Sequence, residues 1–255
     1  MTGNEPATDF WGALRTTTSA RIGLGRAGNS LPSRDVLDLA AAHAAARDAV
    51  HEPLDTDAMI AAAREVGLGE PTVVTSRAAN RAEYLRRPDL GRLPAEPMNL
   101  TAGDWDVGFV LADGLSPAAL AKHGAALLGA LTGALAGLTM APPVIATQAR
   151  VALGDHIAAA SGFRTLLVII GERPGLSVAD SLGVYLTHQP RPGRSDAERN
   201  CVSNIHPPDG LGYAEAARIT AGLVTGARAL GRSGVDLKDT SRSEQLSAER
   251  LDELG

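Results

Sequence analysis

The sequence predicts an α/β chain: a helical N-terminal region, then a three-layer domain built on a mainly parallel sheet. Three observations predict it. Before residue 100, apolar residues recur at helical spacing between Pro and Gly stops. After residue 100, short apolar runs bounded by turn residues alternate with helix-length segments. Those runs lack polar alternation, the pattern of strands covered on both faces and so of parallel pairing.

Residues 1–19 read as a polar arm. Residues 33–51 read as a helix capped by Ser33, with Asp35 in its first turn. Val36, Leu39, Ala40, His43, Ala44 and Val50 follow its period, and Pro53 ends it. A second helix runs over 57–66 and is stopped by Gly67 and Gly69. A third follows Ser76, carries Arg77, Arg81 and Tyr84, and ends before Pro88. Residues 106–112 form an apolar run closed by Asp113-Gly114, read as a buried strand and a turn. Ser116 then caps a long helix with Pro117 at its first position. Residues 144–146 read as a second strand, followed by a helix over 148–160 and Gly162. Residues 165–170 make a third strand, ending in Gly171-Glu172-Arg173-Pro174-Gly175. Residues 184–187 read as a fourth, shorter strand, and a helix over 213–230 stops at Gly231.

The resulting organisation is an arm at 1–19, a helical domain at 20–99, a Rossmann-like α/β domain at 100–235 and a charged, mobile tail at 236–255. In such a sheet ligands gather at the carboxyl ends of the strands. The candidates there are Asp113-Gly114, residues 171–175, and the long loop at 189–201, rich in Pro, Arg and Asp.

Composition narrows the function. The chain has 255 residues, 44% of them hydrophobic, and a net charge of −5. It is long enough for a sizeable core. Its negative charge argues against a general nucleic-acid binder, which needs excess cations. Aromatics are 3%, leaving few stacking platforms. A single cysteine, Cys201, excludes an intrachain disulfide and a Cys-based zinc site, and fits a reducing, intracellular setting. The basic residues are almost all arginine, which reads either as composition bias or as many bidentate contacts. The longest apolar candidate for a membrane span, 115–138, contains Lys122 and His123. The N-terminus shows no basic region leading into an apolar run, so no signal peptide is expected.

Gly23, Gly25 and Gly28 make a literal G-x-G-x-x-G. The dinucleotide fingerprint needs a strand feeding the first glycine and a helix starting within the motif. Residues 16–21 make a poor strand and Pro32 delays the helix. A turn or interface loop is the expectation, and the alternative is a stand-alone nucleotide-dependent oxidoreductase using this loop. His43 and His51, eight residues apart on one helix, lie roughly 12 Å apart and cannot share a metal. No metal constellation, nucleophile elbow or P-loop occurs. Nor is there the Asp-x-His-x-x-Gly by which some cobalamin proteins replace the lower axial base. Glu172 and Arg173 form either a solvated turn or a charged contact at a strand end. The segment at 199–204 surrounds Cys201 with polar groups, leaving it a core thiol or a site neighbour.

Several segments occur together in one order: Ser19-Ala-Arg-Ile-Gly-Leu-Gly-Arg-Ala-Gly28, Arg47-Asp-Ala-Val-His51, Ser76-Arg-Ala-Ala-Asn-Arg81, Tyr84-Leu-Arg-Arg-Pro-Asp-Leu-Gly91, Ala112-Asp-Gly-Leu-Ser116, Arg150-Val-Ala-Leu-Gly-Asp155, Gly171-Glu-Arg-Pro-Gly-Leu176, Asp180-Ser-Leu-Gly183 and Arg199-Asn-Cys-Val-Ser-Asn-Ile205. From about residue 10 to about 237 the chain resembles the small (light) subunit family of ethanolamine ammonia-lyase. The resemblance implies an adenosylcobalamin-dependent conversion of ethanolamine to acetaldehyde and ammonia. It implies a hetero-oligomer in which a separate large subunit holds the substrate pocket and this chain helps enclose the cobalamin, supplying no catalytic residue. It implies a cytoplasmic protein. Members are often packed in a bacterial microcompartment, for which residues 1–19 form a poor amphipathic address. Val151, Glu172 and Cys201 match the family's cobalamin contacts. Val151 would pack on the cofactor's apolar surface, Glu172 would accept hydrogen bonds from amides or hydroxyls, and Cys201 would fit close to a bulky ligand. The missing Asp-x-His-x-x-Gly agrees with a family in which the cofactor's own benzimidazole stays on cobalt. The departures are a short arm, Asn80 where Asp is expected, and a divergent tail after Asp236. The glycine loop, with Arg21 and Arg26, and the arginine-rich segment at 76–87 then face the large subunit.

Overall fold

The computed structural model describes residues 10–239; the expectation of a mobile tail falls, from residue 240 onward, outside them. The elements in order are α1 (Phe10–Arg15), α2 (Ser33–His51), α3 (Thr56–Arg64), β1 (Thr72–Thr75), α4 (Arg81–Arg86), β2 (Trp105–Ala112), α5 (Pro117–Ala134), β3 (Val144–Thr147), α6 (Leu153–Ser161), β4 (Phe163–Gly171), β5 (Leu182–His188), β6 (Asn200–Ile205) and α7 (Tyr213–Leu230). The strands form one sheet in the order β1-β3-β2-β4-β5-β6. The first four are parallel, and β5 and β6 continue the sheet antiparallel.

The period of two sorts the central strands onto two cores. Phe109 and Leu111 of β2 and Leu167 and Ile169 of β4 pack with α3, α5 and α7. Val110 and Ala112, with Val168 and Ile170, pack on the other face with Leu153 and Ile157 of α6. Both faces of the parallel strands are covered, as their unbroken apolar runs require.

The start of α5 and the end of α7 are set by local signals and behave as the sequence indicates. Gly231 ends α7 in the left-handed region, at φ 72. Ser116 caps α5: its Oγ accepts from Ala119 N at 3.2 Å, and Pro117 follows at the first position. The same hydroxyl donates to Ala179 O at 2.9 Å, tying the helix start to the β4–β5 connection. Ser116→Ala removes both bonds at a buried site and is expected to cost about 1–2 kcal/mol, read as a lowered Tm without loss of helix signal.

Several local expectations need correction. Ser33 is the first helical residue; Pro32 occupies the cap position and no side chain caps α2. The helix expected after Ser76 starts only at Arg81, because Asn80 caps it through its side chain, accepting from Glu83 N at 3.0 Å. Asparagine and aspartate cap equally well, so Asn80 leaves this turn intact. The helix expected from 148 begins at Leu153, since Gln148 sits at φ 55. β1 lies in the stretch read as helical; it is four residues long, and Val73 is 40% exposed. β6 includes the polar cluster around Cys201 and buries only Val202 and Ile205.

The direction of β5 moves one candidate away from the ligand end. The chain reverses between Gly171 and Leu182, so β5 runs back toward the amino ends of the parallel strands. His188 pairs with Thr165, and Gln189 N donates to Arg164 O at 2.9 Å. The loop after β5 therefore starts at the end of the sheet opposite Glu172.

Candidate functional site

The chain leaves β2 through α5 on one face to reach β3, then crosses by α6 on the other face to β4. The connections thus part at β2, and the crevice beyond its carboxyl end is where such sheets bind ligands. A cavity of about 430 Å³ lies there. Its walls are Gly114 and Leu115 after β2, Arg150 and Val151 after β3, Ile170, Gly171, Glu172 and Arg173 at the end of β4, Tyr185 of β5, and Tyr84 of α4.

The turns around it are in backbone contact. A Cβ at Gly171 would lie 2.1 Å from Ser116 O, and one at Gly114, whose φ is +55, would lie 2.2 Å from Gly171 O. Only glycine fits at either position.

Asp113 fixes the segment that carries Val151. Its buried carboxylate accepts from Gln148 N at 2.7 Å and Ala149 N at 2.9 Å, with Arg81 Nη1 at 3.4 Å. Burial pushes this carboxyl above its ordinary range, against the pull of those donors. Tyr84 supports the same segment, its hydroxyl donating to Ala149 O at 3.0 Å. The guanidinium carbons of Arg81 and Arg150 each lie 4.8 Å from the centre of its ring.

Glu172 is held by one oxygen. Its Oε2 accepts from Ser181 Oγ at 2.7 Å and from Asn204 N at 3.2 Å. Tyr185 stands opposite Cys201 in the β5–β6 register, and the phenol and the thiol perturb each other's ionisation. Cys201 as a residue is exposed on the edge strand, while its thiol turns onto Tyr185. Burial pushes the thiol up, so it is a neutral neighbour and a poor nucleophile. Burial, reinforced by Cys201, pushes Tyr185 up to about 12.

The structure thus brings Val151 and Glu172 to one cavity and sets Cys201 beside it, behind Tyr185. Tyr84, Arg150 and Tyr185 also line the cavity; the sequence places Tyr84 and Arg150 at the start of two motif segments but does not mark any of the three as a site residue. Arg150 adjoins Val151 in a motif segment, and that adjacency was the only local signal.

Burial also pushes Tyr84 up to about 12. A phenol raised on folding stabilises the fold fully below its unfolded value near 10, and loses that contribution as pH rises toward about 12. Tm is therefore expected to fall steeply between about pH 10 and 12, and less steeply in Tyr84→Phe. Thermal melts across that range check this.

The glycine loop does not form a nucleotide site. Gly23, Gly25 and Gly28 all have positive φ, α1 rather than a strand precedes them, and the next helix starts at Ser33. The neighbouring segment acts as a strap: Arg21 Nη1 donates to Leu176 O at 3.1 Å, and Ser177 Oγ donates to Ser19 O at 3.2 Å. It lies against the loop that carries Glu172. His43, Arg47 and His51 are exposed on α2, which buries only Ala49. Among the described residues no group of three His, Cys, Asp or Glu could hold a metal. No described helix is long and apolar enough to cross a membrane.

Comparison with known proteins adds an independent finding. A family model described as ethanolamine ammonia-lyase light chain matches residues 8–238. The ethanolamine ammonia-lyase small subunit of Rhodococcus erythropolis is 64% identical over 244 residues, which span 95% of each chain. That of Rhodopseudomonas palustris is 48% identical over 98% of each chain. That of Ralstonia nicotianae is 46% identical over 94% of this chain and 92% of its own.

Proposed function

Because the chain belongs to the ethanolamine ammonia-lyase small-subunit family, we propose that it closes one side of an adenosylcobalamin site. A large subunit supplies the other side and the substrate pocket. The observation that supports this most is the cavity at the sheet's switch point. Val151 and Glu172 line it and Cys201 stands next to it through Tyr185, and these are the three residues the family pattern assigns to cobalamin.

The residues fit one edge of such a cofactor. The cavity, about 430 Å³, is at the small end for a ligand site, and a corrinoid is larger. A second wall from another chain is therefore needed. The lining joins an apolar wall of Val151 and Ile170 to a carboxylate acceptor, Glu172, which suits a ring with a hydrocarbon body and peripheral amides.

When bound, adenosylcobalamin supplies the radical chemistry that converts ethanolamine to acetaldehyde and ammonia. The work of this chain is to bind and to shield. Glu172 accepts N–H bonds from peripheral amides. Val151 and Ile170 exclude water from the ring edge. Tyr185, with Cys201 behind it, limits how far the ring slides toward β6. The exposed apolar side chains of α1 and α2, among them Phe10 and Leu37 at 69% exposure each, face the large subunit together with Arg21 and Arg26.

Activity assays on reconstituted subunits test the reading. With adenosylcobalamin and ethanolamine, acetaldehyde is expected only when this chain and the large subunit are combined. Acetaldehyde from this chain alone, or at full rate from the large subunit alone, would refute it.

A further inference from the structure

Glu172 has two carboxylate oxygens with unlike surroundings. Oε2 takes a short hydrogen bond from Ser181 Oγ, at 2.7 Å, and a second from Asn204 N, at 3.2 Å. Oε1 has no hydrogen-bond partner among the described residues, and an added Cβ at Gly183 would come within 3.1 Å of it. The same Cβ would lie 3.5 Å from Cε2 of Tyr185, so Oε1 and the Tyr185 ring sit together over Gly183, beside the cavity both residues line.

Ser181 and Asn204 come from different parts of the chain. Ser181 ends the β4–β5 connection, and its carbonyl also accepts from Glu172 N at 3.0 Å. Asn204 reaches over from β6 at φ 61, a left-handed conformation that asparagine adopts more readily than most other non-glycine residues. Two donors on one oxygen lock the carboxylate's rotation, and bonds to an ionised acceptor are the strong kind. We propose that Ser181 is a positioning residue: together with Asn204 N it saturates Oε2 and presents Oε1 to an amide N–H of the bound cofactor. Ser181 itself touches no ligand. The inference rests on the cobalamin reading above.

The test is equilibrium dialysis of adenosylcobalamin against the assembled two-subunit complex, with Tm measured in parallel. Ser181→Ala is expected to weaken binding roughly tenfold, and Glu172→Ala by at least as much. The double variant is expected to bind no worse than Glu172→Ala alone, because the serine acts only through the carboxylate. Ser181→Thr, which keeps the hydroxyl, is expected to stay within roughly threefold of the parent. If Glu172→Ala weakens binding and Ser181→Ala does not, or if the two losses add, the positioning role is overturned and the cobalamin reading stands. If Glu172→Ala binds like the parent, the reading itself fails and this inference with it.

Discussion

Arg199→Ala is expected to lower the unfolding free energy by about 3–5 kcal/mol. Arg199 Nη1 donates to Asp155 Oδ1 at 2.9 Å and Thr187 Oγ1 at 2.7 Å, and Nη2 donates to Asp155 Oδ2 at 2.6 Å and Arg194 O at 3.1 Å. Both charged side chains are 1% exposed. The pair joins α6 to β5 and to the start of β6, two residues before Cys201. Removing the guanidinium leaves a buried carboxylate with no cation, and that uncompensated charge sets the size of the effect. For a chain of this length Tm should fall by roughly 10 °C, read by calorimetry. The double variant Arg199→Met with Asp155→Leu should recover most of the loss, since replacing both partners removes the stranded charge. A single-variant loss below about 1 kcal/mol would mean that the pair is effectively solvated.

Gly171→Ala comes next. The new methyl would lie 2.1 Å from Ser116 O and 2.7 Å from Asp113 O. Both are main-chain atoms, so no side chain can turn aside. The carboxyl ends of β2 and β4 must separate, at a cost of about 3 kcal/mol or more. The cavity is built on that contact, so cofactor binding by the complex should fall with stability. Gly129→Ala in α5 is the control. Its added methyl meets nothing within 4 Å, and it should be neutral or stabilising by up to about 1 kcal/mol. Equal losses for the two variants would show that the close approach at Gly171 is not what matters.

What could be read from sequence alone divides along physical lines. β2 and β4 were legible because strands buried on both faces must be apolar throughout, and α5 and α7 because their capping signals are local. β1 and β6 were not. Each is an edge strand whose formation depends on pairing with a distant neighbour, and neither Thr72–Thr75 nor Asn200–Ile205 carries a continuous apolar run. The direction of β5 was also hidden. Residues 172–181 form a ten-residue connection in which Pro174-Gly175 marks a bend but not the direction of the next strand, so the loop after β5 was assigned to the wrong end of the sheet. At the site, Val151, Glu172 and Cys201 came from motif resemblance, and residue chemistry alone left Glu172 and Cys201 undecided. Tyr84 and Arg150 became site residues only when α4 and the segment after β3 met, which no local pattern reports.

The most direct test is a structure of this chain bound to its large subunit and adenosylcobalamin. The account predicts the corrinoid seated across the carboxyl ends of β2 and β4, with a peripheral amide nitrogen within about 3.2 Å of Glu172 Oε1 and Val151 packed on the ring. A cofactor enclosed wholly by the large subunit, with no contact to Glu172 or Val151, would contradict it.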